Sequence, residues 1–322
     1  MSRQDIVSYL GTDWDRTLAL IRSHLHSDVS LLEETNSQIL AGGGKMLRPM
    51  VALLIAKAIS EPTEDSIRYA AVTELLHNAT LIHDDVADES TERRGRPTLS
   101  ALLGPGTAVL VGDYWLARAV DLVVDTEHRD AAIRRFARTL TDLAEGEMLQ
   151  LEKAASCDTS EEDYLRIIRC KTASLFCAAA ESAAVSVDAS PSQLEAAVAY
   201  GTALGIAFQI KDDILDYAGT DALGKPLGMD LKERKITLPL LATLEGSPQE
   251  AQIRAMVREI PSRPENRERI CRFVQEREGT LLAARRLDVW IDRAERALDA
   301  FPPGPSREYL VQIARFNQFR QI

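Results

Sequence analysis

The sequence predicts an all-α protein. Two observations support this prediction: apolar residues recur with helical spacing along the whole chain, and no sustained alternation of apolar and polar residues marks a β-hairpin. Hydrophobic residues make up 45% of the 322 residues, which is enough for a sizeable core. We therefore expect a helical bundle that forms one domain over residues 1–322.

Turn residues divide the chain into its predicted helices. Proline or glycine marks the breaks at residues 61–63, 190–191, 219–228, 260–262 and 301–305. These connections are short, as is typical of antiparallel neighbours in a helical bundle, and none is long enough to be a flexible linker between domains. The expected helices are residues 3–26, 27–40, 48–60, 64–89, 106–125, 129–155, 160–186, 191–218, 236–246, 249–260, 265–277, 279–301 and 306–320.

Composition and charge argue against several classes of function. The formal net charge of -11 disfavours nucleic acid, and also an anionic membrane surface, as the main partner. No apolar run reaches the length of a transmembrane segment, and residues 1–13 are too polar for a signal peptide. The four cysteines show no CxxC pair and no other metal-ligand spacing. We expect a cytoplasmic protein with reduced cysteines.

The first acidic motif follows a predicted buried helix. Residues 69–82 are mostly apolar and contain no glycine or proline. Asp84, Asp85 and Asp88 come at the end of this helix, where the helix dipole disfavours negative charge. Asp84 and Asp88 are four residues apart and share one helical face, with Asp85 about 100° round. Three carboxylates this close together at the end of an apolar helix require a cation.

A second acidic motif repeats this arrangement. Asp212, Asp213 and Asp216 lie on another apolar segment, and Gln209 lies one turn before them. A single DDxxD pattern is weak evidence, because a solvated acidic helix face gives the same pattern. A solvated face would be flanked by Lys and Glu, whereas both motifs here are flanked by Leu, Ile, Val and Ala. The pair of motifs therefore predicts metal binding.

Two basic segments flank the first acidic motif. Residues 42–44 are all glycine, and Lys45 and Arg48 follow them at the start of a helix, an arrangement that can hold a phosphate. The segment lacks the spacing of a P-loop, and a flexible helix junction is the alternative. After the motif, Arg93 and Arg94 suit phosphate because the planar guanidinium donates two parallel hydrogen bonds. Their alternative role is to balance the charge of the neighbouring aspartates.

Further cations accompany the second acidic motif. Lys171 and Thr172 open a segment of small apolar residues, which leaves room for something to pack there. Residues 224–235 supply Lys225 and Lys235 just past the motif, and we expect this segment to form a mobile lid. A merely solvated loop is the alternative.

The two acidic motifs and the basic segments together define a class of ligand. Carboxylate clusters facing across a cavity would hold hard divalent cations, with Mg²⁺ as the default, and would leave coordination positions open for substrate phosphates. The lysines and arginines would neutralise more anionic charge than one metal site needs. Helices rich in Ala, Leu and Val would line an apolar pocket above the metals. The predicted ligand has a multiply charged phosphate head and a hydrocarbon body, as an isoprenoid diphosphate does.

The chain resembles the trans-isoprenyl diphosphate synthase (polyprenyl synthetase) family. The resemblance covers residues 40–245, with a weaker match at residues 310–320, and its motifs stand in family order: GGGKMLRP, LLHNATLIHDDVADESTERRGRPT, KT and FQIKDDILDYAGTDALGKPLGMDLKERKITLPLL. It implies a homodimer of all-α subunits, each with a central cavity between its helices. It also implies a prenyltransferase that condenses isopentenyl diphosphate with an allylic diphosphate, head to tail, to a trans-polyprenyl diphosphate.

The resemblance also implies roles for the matching positions. Mg²⁺, about three ions per active site with substrate bound, would be held by carboxylates, namely Asp84, Asp85, Asp88, Asp212, Asp213 and Asp216. The allylic diphosphate would be bound by Arg93, Lys171, Thr172, Gln209, Lys225 and Lys235. Isopentenyl diphosphate would be bound by Lys45, Arg48, His77 and Arg94. Departure of the diphosphate would leave an allylic carbocation for isopentenyl diphosphate to attack. The departing diphosphate would be stabilised by a catalytic set of Asp84, Asp85, Asp88, Arg93, Lys171, Asp212 and Asp213.

Residues upstream of Asp84 set the expected product length. In the family, bulky aromatic residues five and four positions before the first aspartate mark short products, and this chain has Ala79 and Thr80 there, with Leu76 one turn further from the motif. A helix of about 20 residues is roughly 30 Å long, enough to run beside a product of about 30 to 50 carbons. Within this C30–C50 range, octaprenyl diphosphate is the central expectation and quinone side chains are its expected use.

Several alternatives stay open. A short-chain farnesyl or geranylgeranyl diphosphate synthase shares the motifs, and an inactive partner subunit shares the fold, although both acidic motifs are intact here. A terpene cyclase would normally lack the GGGK segment and the second DDxxD motif. A different class, the His-Asp metal phosphohydrolases, is indicated by His83 and Asp84, but only five histidines are available. Glu233 and Arg234 stand where the family usually has a glycine before the lysine, so the lid departs from the family pattern.

Overall fold

The computed structural model describes residues 2–42, 44–93, 95–218 and 227–319. Regular structure in these residues is helical except for two strands of two residues each, Glu92–Arg93 (β1) and Arg96–Pro97 (β2), which pair antiparallel. The all-α prediction is therefore confirmed. The chain divides into two compact units, and the prediction of a single domain stays a prediction.

The first unit contains residues 1–137, 178–197 and 300–310. The longest helix that lies wholly within it is Glu64–Ala87 (α5), in which residues 69–76 are all buried, six of them apolar. α5 packs against four other helices of this unit, Thr12–Leu25 (α2), Leu47–Ile59 (α4), Leu99–Leu103 (α6) and Pro105–Val124 (α7). The remaining helices that lie wholly in the unit are Arg3–Leu10 (α1) and Ser30–Ala41 (α3).

Local sequence fixes both ends of α5. Thr63 Oγ1 accepts from the Ser66 backbone N–H and the Thr63 N–H donates to Ser66 Oγ, which is a capping box. The same Ser66 hydroxyl lies 2.6 Å from the Ser186 hydroxyl, so the start of the helix is tied to the rest of its unit. The helix ends at Ala87, with Asp88 as its cap. The first acidic motif therefore occupies the last turn, as predicted.

The second unit contains residues 138–177, 198–299 and 311–322. In it, Leu238–Leu244 (α13) packs against Asn266–Glu276 (α15), Gly279–Ala297 (α16) and Glu161–Ile168 (α9). A π-helical turn, Arg169–Ala173, follows α9 directly. The unit also has Met229–Lys232 (α12) and Glu250–Glu259 (α14), and four helices contribute residues to both units: Arg129–Ser156 (α8), Ser174–Val185 (α10), Pro191–Ala218 (α11) and Pro305–Phe319 (α17).

Several boundaries differ from the sequence prediction. The helix predicted over residues 3–26 is broken at Gly11, whose φ of 53° and ψ of -123° suit glycine and no other residue. The helix predicted over 160–186 is interrupted by the π-helical turn. The short helix α6 and the β1–β2 pair were not predicted, because segments this short carry no periodic pattern.

None of the described helices combines the length and the apolar character that crossing a membrane would require.

Candidate active site

The last turn of α5 carries the first acidic motif, in the first unit. Asp84 is half-buried and Asp88 is exposed, whereas Asp85 is 7% exposed and accepts a hydrogen bond from Arg93 Nε at 2.7 Å. Arg93 lies in β1, and the pairing of this strand with β2 holds it beside the motif. The charge-balancing role considered for Arg93 is thus realised in the structure. Its contact with a diphosphate stays a prediction.

The residues predicted to bind isopentenyl diphosphate also lie in the first unit. Lys45 is exposed, and its carbonyl accepts a hydrogen bond from Arg3 Nε at 3.2 Å, which ties the glycine-rich segment to α1. Arg48, near the start of α4, and His77, on α5, are half-buried. Gly43 of the same segment and Arg94 lie outside the described residues.

The three predicted chain-length residues lie one to two turns before the motif on α5. Leu76 and Ala79 are buried, at 2% and 0% exposure. Thr80 is half-buried, and its hydroxyl donates to the His77 carbonyl at 3.0 Å. Their position along α5 is as predicted, and their role stays a prediction.

His83, on which the phosphohydrolase alternative was based, contacts residues of α7. Its Nε2 lies 3.3 Å from the Val109 carbonyl and 3.4 Å from Asp113 Oδ1. A Cβ placed on Gly112 would come within 2.2 Å of His83 Nε2, so the ring occupies the space that the glycine leaves. This environment is that of a packed helix–helix contact.

A cavity of about 170 Å³ in the second unit gathers many of the remaining predicted residues. Five residues predicted from the sequence line it, namely Lys171, Thr172, Gln209, Asp213 and Lys235. Lys225, which was also predicted to bind the allylic diphosphate, lies outside the described residues. The rest of the lining is formed by Gln150, Lys153, Ala154, Thr159, Tyr164, Ile167, Ile168, Asp230, Ile236 and Thr237.

Asp213 is the most deeply buried carboxylate of this cavity, at 3% exposure. The Tyr164 hydroxyl donates to its Oδ2 at 2.6 Å, and Gln209 Nε2 donates to its Oδ1 at 2.8 Å. Gln209 Oε1 in turn accepts from the Thr172 hydroxyl at 2.7 Å. Four side chains thus form one chain of hydrogen bonds. Burial raises the pKa of Tyr164 well above its usual value, and the Asp213 charge adds to the effect, so the hydroxyl keeps its proton.

Lys171 lies in the π-helical turn and forms an ion pair with Glu147 on α8. Gln150 Nε2 donates to Glu147 Oε1 at 3.0 Å, which holds this carboxylate in place. The turn packs closely against α11, because a Cβ on Gly205 would lie 2.4 Å from Ala173 Cα. A π-helical turn within a longer helix is frequent at functional sites, since it displaces side chains from their α-helical positions.

Asp230 also lines this cavity, and Asp212 and Asp216 of the second motif are close to Asp213 in sequence. Asp216 accepts from the backbone N–H groups of Met229 and Asp230, at 2.9 and 3.2 Å. Asp212 is half-buried. Burial raises the pKa of Asp213 well above its usual value, with the Asp230 charge adding to the effect. Burial, and then the Asp216 charge, raise the pKa of Asp230 to about 7, while Lys235 and Lys171 oppose the change. The cluster therefore holds more negative charge than its environment stabilises.

These carboxylates suit a divalent cation. No group of three or more His, Cys, Asp or Glu side chains within the described part of the chain is arranged to hold a metal ion by itself. Mg²⁺ is ordinarily bound by one or two carboxylates together with substrate phosphates, so a preformed protein cage is not needed. Carboxylate oxygens are the donors that Mg²⁺ prefers. A cation would offset the burial and the carboxylate repulsion that together raise the pKa values of Asp213 and Asp230.

Three side chains of the cavity region were not among the predicted site residues: Tyr164, Glu147 and Asp230. Tyr164 precedes Lys171 by seven residues, which places both on one helical face, and this spacing could have marked it. Asp230 belongs to the segment predicted as a lid, but nothing in that segment distinguishes its carboxylate from a solvated one. Glu147 could only be found from the structure, because its partner Lys171 lies on another helix.

Comparisons with known proteins identify the family of the chain. A model of the family described as polyprenyl synthetase matches residues 29–275. An octaprenyl diphosphate synthase of Haemophilus influenzae is 39% identical over 315 residues, which is 96% of this chain and 93% of that relative. A decaprenyl diphosphate synthase from Rhodobacter capsulatus, known from its crystal structure, is 36% identical, with a TM-score of 0.92 and 99% of both chains covered.

A further solved structure carries ligands. It is a polyprenyl synthase from Caulobacter crescentus CB15 complexed with calcium and isoprenyl diphosphate. It is 36% identical, with a TM-score of 0.90, and the match covers 100% of this chain and 98% of that chain. The family match spans more than half of the chain, so the resemblance found in the sequence is confirmed. The chain belongs to the polyprenyl synthetase family of metal-dependent prenyltransferases.

Proposed function

We propose that this chain is a long-chain trans-polyprenyl diphosphate synthase, which condenses isopentenyl diphosphate head to tail with an allylic diphosphate. The observation that carries the proposal is the cavity in which Lys171 and Lys235 meet the carboxylates of Asp213 and Asp230. Cations and carboxylates in one cavity suit a diphosphate that is bound together with a divalent cation. The relatives named octaprenyl and decaprenyl diphosphate synthases support the long product.

The proposed cation is Mg²⁺, with about three ions per active site once substrate is bound. Asp84, Asp85 and Asp88 would hold it in the first unit, and Asp212, Asp213 and Asp216 in the second. When bound, Mg²⁺ neutralises the charge that develops on a departing diphosphate. In the structure the middle aspartate of each motif is already engaged by protein donors, Asp85 by Arg93 and Asp213 by Tyr164 and Gln209.

The allylic diphosphate would be bound by Arg93, Lys171, Thr172, Gln209, Lys225 and Lys235. Of these, Lys171 lines the cavity and forms an ion pair with Glu147. It lies on a turn that packs against α11, so the position of its backbone is fixed. A fixed cation beside the breaking C–O bond stabilises the diphosphate as it leaves and costs no reorganisation at that moment. The double bond of isopentenyl diphosphate attacks the allylic carbocation that remains, and a new C–C bond forms. The released diphosphate then accepts the proton that the product loses.

Isopentenyl diphosphate would be bound by Lys45, Arg48, His77 and Arg94. The support is local: the glycine-rich segment is tied to α1 through Arg3, and Lys45 is exposed at its end. A lysine is a point charge on a flexible stem, so an anchored backbone is needed to aim it at a phosphate.

The proposed product has about 30 to 50 carbons, with octaprenyl diphosphate as the central value, and would serve quinone side chains. Ala79, Thr80 and Leu76 would form the end of the channel, because small or aliphatic side chains stand where bulky aromatics would stop the chain early. A short-chain synthase is the alternative, and the length of the product decides between them.

The proposed assembly is a cytoplasmic homodimer. Its support is an apolar surface on α6 and α7, made of exposed side chains that water would otherwise cover. Along α7, Val109, Leu110, Val120 and Val124 fall within an arc of about 100°, at 38%, 69%, 52% and 44% exposure. Leu102 and Leu103 of α6, at 58% and 37%, extend the apolar surface.

The proposed function is tested by removing the positive charge of one lysine side chain. Lys171→Met keeps the length of the side chain and removes its charge, so we expect kcat for condensation of farnesyl diphosphate with isopentenyl diphosphate to fall about 100-fold. Lys57→Met is the matched control. Lys57 is also in an ion pair, with Asp13 at 3.5 Å, and is 21% exposed against 24% for Lys171, but it lies in the first unit beside α1 and α2.

The measurement is initial-rate incorporation of labelled isopentenyl diphosphate, with melting temperatures of both variants as a check on folding. Lys57→Met should retain the wild-type rate. A Lys171→Met variant that condenses at the wild-type rate would show that the cavity of the second unit does not bind the reacting diphosphate.

A further inference from the structure

Tyr164 stands on a helix that is anchored at both its start and its side. Ser160 and Asp163 form a capping box at the start of α9. Glu161 forms an ion pair with Arg286 of α16 at 3.0 Å, and Lys153 lies 3.1 Å from Asp163. Because α9 is held in this way, the backbone position of Tyr164 is fixed. A side chain can orient another group precisely only when its own backbone is fixed.

The Tyr164 ring is 3% exposed, and its hydroxyl has Asp213 as its partner, at 2.6 Å. A hydrogen bond from a hydroxyl to a carboxylate is among the strong ones, because the acceptor is charged. Gln209 donates to the other carboxylate oxygen, at 2.8 Å, and its own amide is held by Thr172. Because each carboxylate oxygen of Asp213 accepts from a different donor, the orientation of the carboxylate is fixed.

The first acidic motif provides a contrast. There the buried middle aspartate, Asp85, is paired with the cation Arg93. At Asp213 both hydrogen-bond donors are neutral, so they orient the carboxylate without neutralising its charge. A neutral donor therefore suits a carboxylate that must still attract a divalent cation, since a lysine or arginine in place of Tyr164 would compete with that cation.

We infer that Tyr164 is a positioning residue of the second acidic motif, whose hydroxyl acts together with the Gln209 amide to orient Asp213 toward a metal–diphosphate ligand. It acts through Asp213 and does not itself touch the substrate. The inference rests on the proposed function, because it takes the second motif as the place where that ligand binds.

The test compares Tyr164→Phe with Tyr69→Phe, which makes the same chemical change elsewhere. Tyr69 is 0% exposed and its hydroxyl donates to Thr126 Oγ1 at 2.8 Å, so it too loses one buried hydrogen bond, but in the first unit and away from the cavity. The probe is Mn²⁺, titrated by calorimetry in the presence of saturating inorganic pyrophosphate. Loss of an outer-shell partner typically weakens metal affinity about 10- to 100-fold, and we expect a change in that range for Tyr164→Phe. Tyr69→Phe should bind Mn²⁺ as the wild type does.

A double-mutant cycle tests the route through Asp213. If Tyr164 acts through that carboxylate, adding Tyr164→Phe to Asp213→Asn should change Mn²⁺ affinity by no more than about twofold. A full and independent second loss would overturn the inference, and so would a Tyr164→Phe variant that binds Mn²⁺ like Tyr69→Phe. A Tyr164→Phe variant that fails to fold while Tyr69→Phe folds would also overturn it, because the hydroxyl would then serve the fold.

The condensation assay keeps this inference separate from the proposed function. A wild-type protein that binds Mn²⁺ and pyrophosphate but does not condense isopentenyl diphosphate with an allylic diphosphate would contradict the proposed function. The loss of Mn²⁺ affinity in Tyr164→Phe would, in that case, still establish the positioning role.

Discussion

The aspartates within each acidic motif have different environments. Asp85 and Asp213, the middle residues, are buried and hydrogen-bonded by protein donors, whereas Asp84 and Asp212 are half-buried and Asp88 is exposed. The spacing of four residues predicts that the outer pair shares a face. It could not predict which carboxylate is buried, because burial depends on α9 and β1, which are distant in sequence or too short to carry a pattern.

Ala79 is the residue at which product length is most directly tested. It is fully buried, so Ala79→Phe adds volume where the channel would end, and we expect the longest product to become shorter by several prenyl units. The extra volume should also cost roughly 1–3 kcal/mol of stability through overpacking. The measurement is the mass distribution of products made from farnesyl and isopentenyl diphosphates.

Ala70→Phe is the matched control for this prediction. Ala70 is also fully buried in α5, but nine residues away it lies on about the opposite face of the helix. The two variants should lose similar stability, and only Ala79→Phe should shorten the product. An unchanged distribution in Ala79→Phe, or equal shortening in both, would refute the role given to Ala79.

At the scale of secondary-structure elements, close helix packing positions Lys171. The π-helical turn lies against α11 at Gly205, where a Cβ would meet the backbone of Ala173 at 2.4 Å. The sequence predicted an uninterrupted helix here, because a π-helical turn has no periodic pattern of its own and is imposed by packing. The capped starts of α5 and α9 illustrate the opposite case, since Thr63 and Ser160 carry the cap in their own side chains.

This packing predicts the effect of adding one methyl group. Gly205→Ala forces backbone apart, so we expect it to lower the free energy of unfolding by roughly 1–3 kcal/mol and to reduce kcat, because Lys171 and Thr172 move with the turn. Urea denaturation and initial rates measure the two effects.

Gly106→Ala is its control. Gly106 lies in α7 with nothing within 4 Å of its added Cβ, so the change should leave the rate unaltered and add up to about 1 kcal/mol through helix propensity. Equal stability of Gly205→Ala and the wild type would contradict the close packing described for the turn.

At the scale of the whole molecule, the family could be predicted from the sequence, since the four motifs cover residues 40–245 and the family model matches residues 29–275. The division into two compact units was not predicted, because no linker composition marks it. The apolar surface of α6 and α7 was also missed. On sequence alone, a helix with two apolar faces looks like a buried one.

That surface predicts the effect of a charge on assembly. Leu110 is 69% exposed, and Leu110→Glu should convert the proposed dimer into monomers at micromolar concentration, because a charge would be buried at the interface. Leu281→Glu, a change at a leucine of α16 that is 47% exposed, should leave the dimer intact. Light scattering coupled to size-exclusion chromatography measures both masses. A dimeric Leu110→Glu protein would place the interface elsewhere.

The central claim is tested most directly by the products of the wild-type protein. Purified protein would be incubated with Mg²⁺, isopentenyl diphosphate and farnesyl diphosphate, and the products read by mass spectrometry. We expect a ladder that ends at one polyprenyl diphosphate of about 30 to 50 carbons, with about 40 as the central value. A product that stops at about 20 carbons or fewer would contradict the long-chain assignment drawn from α5. No product at all, with diphosphate still bound, would contradict catalysis by this chain alone and indicate a subunit that needs a partner.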